Sequence, residues 1–198
     1  MPRWLKRAIV LTVGAPILGV VIWYSLSFLP HLGELKEISS RGSASLLGVE
    51  KDLYPLVVAS ESKEGIRSYA ARQAYYSLEY EKSPGRMLAW HANNLLWYSA
   101  AFLHFNEHEM FGIWAQCALS GCSHGLNEIT QKYFGNHLDS LSKSELAGLV
   151  AVIQSPTRFA PGSASGEQRA NEILEKANTH NMSFERDAPK AARPSTLR

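Results

Sequence analysis

The stretch "HGLNEITQKYFGNHLDSLSKSELAGLVAVIQSPTRFAP", residues 124 to 161, decides the fold. Within it "SKSEL" sets Ser142 three residues before Glu145. That is a capping box, in which each side chain satisfies the other's free backbone N–H at a helix start. Leu146, Leu149, Val150 and Ile153 then repeat at helical spacing, so one face of this helix is apolar. "SPTRFAPGS" has two prolines and a glycine and reads as a loop. Beyond it "SGEQR" repeats the cap pattern with Ser165 and Gln168, and Ala170, Ile173, Leu174 and Ala177 carry the next stripe. The unit is helix, loop, helix.

Upstream the same texture continues. "SPGRMLAWHANNLLWYSAAFL" (83 to 103) is a turn leading into a long apolar helix whose polar residues, His91, Asn93 and Asn94, fall within one turn. A shorter helix follows over about 107 to 119, with Asn106 as its N-cap. "LVVASESKEG" (56 to 65) is an apolar run that ends on Ser60 and sets one carboxylate, Glu61, at its lip. No run of alternating apolar and polar β-formers occurs, so the fold class is all-α.

The N-terminus adds a membrane element. "AIVLTVGAPILGVVIWYSLSFLP" (8 to 30) holds no charged residue and, at 1.5 Å of rise per residue, spans a hydrocarbon layer of roughly 30 Å. A signal-peptide core is shorter and is followed by a small-x-small site, so the segment reads as a retained anchor. Arg3, Lys6 and Arg7 precede it, which keeps the N-terminus cytoplasmic and places the rest outside. Pro16 is expected to kink the anchor. The expected organisation is a basic flank and single-pass anchor (1–30), a Gly/Ser-rich linker or stalk (31–53), a helical domain (54–182) and a disordered tail (183–198).

Composition narrows the chemistry. The 198-residue chain has a formal net charge of only +2, so its charge suggests no nucleic-acid partner. Cys117 and Cys122 can form a small loop disulfide or remain two buried thiols; spacing does not choose, and the reading leans to unpaired. "HFNEH" (104 to 108) fits a zinc-protease pattern, but an N-cap at Asn106 would break the shared helix face and no third ligand follows.

The C-terminal half also resembles a known family. Gly125, Tyr133, Phe134, Gly135, Leu141, Glu145, Gln154, Pro156, Arg158, Phe159, Pro161, Arg169 and Leu174 stand in the order found in the last third of a family 51 glycosyltransferase domain. This is the peptidoglycan transglycosylase domain of penicillin-binding proteins and monofunctional transglycosylases. The resemblance covers residues 50 to 178 and is strongest from 123 on. It implies a shortened lysozyme-like fold on a single inner-membrane anchor, with the domain periplasmic or extracellular. It further implies binding of lipid II or a glycan strand, with a cell-wall synthase as a further partner.

In that family a glutamate takes the proton of an attacking sugar hydroxyl, and cations hold the pyrophosphate that leaves. Glu61 in "VVASES" resembles the catalytic base, although Ser62 stands where the family has Asp. The donor-site helix keeps Ser68 and Gln73 but has Tyr76 in place of the lysine, with Arg72 close by. Asn94 falls on the second glutamate, beside His91 and downstream of Arg86, and cannot take up a proton as a carboxylate does. Gln154 and Arg158 complete the implied substrate set. The expectation is therefore a transglycosylase-like protein impaired in catalysis, acting by binding. Its alternative is an active polymerase with Glu61 as base. No cofactor is expected, a divalent cation such as Mg serving only if the protein is active.

Overall fold

The computed structural model describes residues 10–82, 86–119 and 121–187, with side chains from Thr12 to Thr179. Among them every regular element is helical and no strand occurs. The basic flank at Arg3, Lys6 and Arg7, the turn at 83–85 and the end of the expected tail lie outside the described residues. The chain forms two compact units. One is built from the chain up to Gly48 plus Lys63–Asp139, the other from Val49–Ser62 plus the chain from Ser140 on.

The first unit begins with a continuous helical rod, Thr12–Ser45, whose most apolar stretch has a mean hydropathy of 1.7 and is long enough to cross a membrane. It comprises α1 (Ala15–Trp23), a wide π turn (Tyr24–Phe28), one 3-10 turn (Leu29–His31) and α2 (Leu32–Ser45). Pro16 lies in the first turn of α1, where a missing N–H costs little.

The expected stalk at 31–53 is a correction: most of it is α2, and it is packed. Leu35, Ile38, Ser39 and Gly42 repeat at i, i+3, i+4 and i+7 and are buried. Gly42 is there for close approach. A Cβ on it would sit 1.8 Å from the carbonyl oxygen of Gly112. Ser39 Oγ also donates to the Glu109 carbonyl at 2.9 Å.

Helix α3 (Glu50–Tyr75) is broken at Ser62, whose φ of 65° and ψ of 166° are not helical. After the break it runs into a π turn (Tyr76–Tyr80), then α4 (Met87–His104) and α5 (Glu107–Cys117). Asn106 caps α5 in a full capping box with Glu109, as expected. Cys117 and Cys122 are disulfide-bonded, against the lean to free thiols. Leu119 and Gly121 take positive φ between them, the tight path that brings two cysteines five apart together. Helix α6 (Gly125–Phe134) ends on Gly135 in the left-handed conformation, the usual role of a helix-terminating glycine.

The second unit packs the segment up to Ser62 with α7 (Lys143–Gln154) and α8 (Ala164–Asp187). Its buried residues include Leu53, Leu56, Val57, Leu146, Leu149, Val150, Ile153 and Ile173. Ser142 and Glu145 form the expected capping box. The second cap is displaced from its expected place. Ser163, not Ser165, accepts from the Gly166 N–H at 3.1 Å, while Ser165 Oγ donates to the Arg158 carbonyl at 2.6 Å. Gly166 suits that first turn because a Cβ would lie 2.5 Å from the Ala160 carbonyl oxygen. Helix α8 continues to Asp187, past the expected start of the tail at 183.

Candidate functional site: a carboxylate-lined cleft

Leu56 and Val57 are fully buried and hold their segment fast, so Ser60 and Glu61 emerge at its end. Ser62 then stops the helix. Its φ/ψ pair belongs to a region that is essentially glycine-only and costs a side-chain-bearing residue roughly 1–3 kcal/mol. Such strain is characteristic of functional positions. Glu61 is half-buried beside it. It lines a cleft of about 760 Å³ with Val58 to Ser62 on one wall and Glu172, Glu175, Lys176 and Thr179 of α8 on the other.

A second hollow of about 350 Å³ shares Glu172 with the first. Gln154, Arg158, Phe159, Ser165, Gln168 and Arg169 line it. A chain of hydrogen bonds links the two. Gln154 Nε2 donates to Ser60 Oγ at 2.5 Å, and Arg169 Nε donates to Gln154 Oε1 at 2.9 Å. Arg169 Nη1 then donates to Glu172 Oε2 at 3.0 Å, and Gln168 Nε2 to Glu172 Oε1 at 3.1 Å. The bonds from Arg169 and Gln168 hold the Glu172 carboxyl below its usual range, against a smaller opposing effect of burial. Glu172 is thus an anion at neutral pH and a poor proton donor. Arg158 is exposed, its guanidinium 5.1 Å from the centre of the Phe159 ring.

The structure therefore brings Glu61, Gln154 and Arg158 into one unit. Arg169 as a link, and Glu172, Glu175 and Lys176 as cleft lining, were missed. Their spacing on one helix, i, i+3, i+6 and i+7 from Arg169, is the signal that could have found them.

The remaining expected site residues belong to the first unit. Ser68 and Arg72 are exposed on α3, with the Arg72 guanidinium 5.5 Å from the Tyr69 ring. Gln73 is half-buried on the same helix. Arg86 is exposed just before α4, and His91 is exposed with its ring edge-on to Trp90 at 4.8 Å. Asn94 Nδ2 donates to the Trp90 carbonyl at 2.9 Å, while its Oδ1 is buried without a partner. Neighbouring Asn93 is the better connected. It accepts from Trp23 Nε1 at 2.9 Å and donates to Tyr75 Oη at 3.1 Å. Burial raises the Tyr75 phenol, and that bond from Asn93 opposes the rise.

Among the described residues no group of three or more His, Cys, Asp or Glu could hold a metal ion. The "HFNEH" pattern is split, since His104 ends α4 and His108 lies in α5 beyond the Asn106 cap. His104 Nε2 instead lies 2.6 Å from Tyr24 Oη. Set against protein-family models, curated proteins and solved structures, the chain matches none of them.

Proposed function

We propose that the chain is a membrane-anchored, transglycosylase-like protein of cell-wall synthesis that binds the sugar portion of lipid II or a glycan strand without polymerising it. One observation carries this reading: the cleft at Glu61 is lined by three carboxylates and one lysine, and with Glu172 paired to Arg169 it keeps an excess of one acid. A site with that balance repels a diphosphate leaving group, which transglycosylation must stabilise with cations. It suits a hydroxyl-rich sugar, whose O–H groups donate to carboxylates and to Ser60 and Thr179. Arg169 faces the neighbouring hollow but is engaged by Gln154 and Glu172. Each missing electrostatic group of this kind typically costs about 10²–10³ in rate. The lysozyme-like architecture, the periplasmic placement and a synthase as further partner belong to the same proposal.

The competing reading, an active polymerase, is favoured by the position of Glu61 at a cleft beside a strained residue. Full-length protein in nanodiscs with labelled lipid II separates the two. Binding without glycan product is expected, weakened by Glu61→Gln and by Glu175→Gln. Glycan chains from the unaltered protein and none from Glu61→Gln would overturn it.

A further inference from the structure

Helix α4 inverts the pattern of an ordinary surface helix. Most of its polar groups turn toward the protein, Asn93 to Trp23 and Tyr75, Trp97 Nε1 to Glu79 at 3.3 Å and His104 to Tyr24, while His91 is exposed at the edge of the outer face. Trp97, Ala100 and Ala101 are buried, but most of its leucines turn away. Leu88 is 82% exposed, Leu95 66% and Leu103 78%, with Met87 and Phe102 also exposed. Leu88, Ala92, Leu95, Ser99 and Phe102 follow one another at i, i+4, i+7, i+11 and i+14, a single helical face. The one hydroxyl on that face, Ser99, donates back to the Leu95 carbonyl at 2.9 Å. Over its 18 residues α4 carries no Asp, Glu, Lys or Arg.

The apolar rod indicates what covers this face. Trp23 meets Asn93, Phe28 packs edge-on to Trp97 at 5.1 Å, and Tyr24 meets His104. Asn93 and His104 are about 16 Å apart along α4 at 1.5 Å per residue. Trp23 and Tyr24 are adjacent on the rod. Phe28 and His31, farther along the rod, return to Trp97, between those two contacts. The contacts therefore do not advance in step along the two helices as they would if these lay side by side, and α4 crosses the rod steeply. Crossing a membrane-spanning rod steeply means lying along the bilayer plane, here at the level of an aromatic pair of the kind that marks membrane interfaces. The rod carries outward leucines of its own near these contacts in sequence, Leu26 being 75% exposed and Leu29 46%.

We infer that α4 is an interfacial helix, its Leu88–Leu95–Phe102 face seated at the headgroup–acyl boundary of the bilayer that the rod crosses. The occupant of the face is lipid. This rests on the reading of Thr12–Ser45 as a membrane anchor, and the test separates the two.

Full-length protein in nanodiscs, carrying a nitroxide on one introduced cysteine at a time, is probed for collision with oxygen and with a water-soluble nickel chelate. The positions are Ile17→Cys in the rod, Leu95→Cys and Leu103→Cys on α4, and Lys132→Cys as a water-facing reference. Because all four side chains are exposed, unchanged helicity by circular dichroism is expected. Leu95 and Leu103 should favour oxygen over nickel as Ile17 does, with Lys132 showing the reverse. Lipid-like behaviour at Ile17 with water-like behaviour at Leu95 and Leu103 overturns the inference and leaves the anchor standing. Water-like behaviour at Ile17 removes the anchor and this inference with it. Low collision with both reagents, with spin–spin broadening, means that a second copy covers the face and also overturns it. As a second measurement, brominated lipids should quench a bimane at Leu88→Cys.

Discussion

At Glu145 a capping carboxylate links sequence, structure and pH. The Ser142 hydroxyl and backbone N–H both reach it and hold its carboxyl below the usual glutamate range. A carboxyl whose folded value is depressed adds stability that is complete above its unfolded value and is lost as pH falls through the folded one. The melting temperature of the protein should therefore exceed that of Glu145→Gln at neutral pH, and the gap should close below pH 4.5. This cap was legible because serine and glutamate stand three apart before an apolar stripe. The next cap was not, since Ser163 and Ser165 are equally good candidates on paper and only the path of the proline loop chooses. Ser163→Ala should cost about 1 kcal/mol in chemical denaturation, the usual value of an N-cap side chain. Glu61 was legible as the carboxylate just past the end of an apolar run, but Glu172 and Glu175 were not. On a helix with many charges nothing local marks which of them face a cleft.

At the scale of elements, the contact of α2 with α5 is where composition misled. Gly, Ser and charges over 31–53 resemble a spacer, yet Gly42 and Gly112 are small because two backbones meet there. The apolar repeat of Leu35 and Ile38 was present but sparse, and Gly42, one of the glycines that gave the spacer impression, was the packing signal. Gly42→Ala should force the helices apart and destabilise the first unit by roughly 3 kcal/mol, the upper part of the overpacking range, measured by thermal unfolding in detergent. The long helix before His104 and the cap at Asn106 were, by contrast, plain in the sequence. Apolar length and an Asn before two acidic residues are local signals that no tertiary partner needs to supply.

For the whole molecule, the Cys117–Cys122 bridge agrees with the periplasmic or extracellular placement proposed above, because such bridges persist where the environment is oxidising. In exported protein the two sulfurs should resist a maleimide until reductant is added. A chain deprived of residues 1–30 and kept in the cytosol should react at once. All-helical character was legible from the first motif onward, since helix periodicity needs only neighbours in sequence. The partition into two units was not, because it joins Val49–Ser62 to residues after 140. That discontinuous partition has a consequence for biosynthesis. The ribosome delivers Leu53, Leu56 and Val57 first and must then make all of 63–139 before their packing partners exist. Throughout that interval three leucine and valine side chains that end fully buried wait uncovered, so this half of the protein settles last.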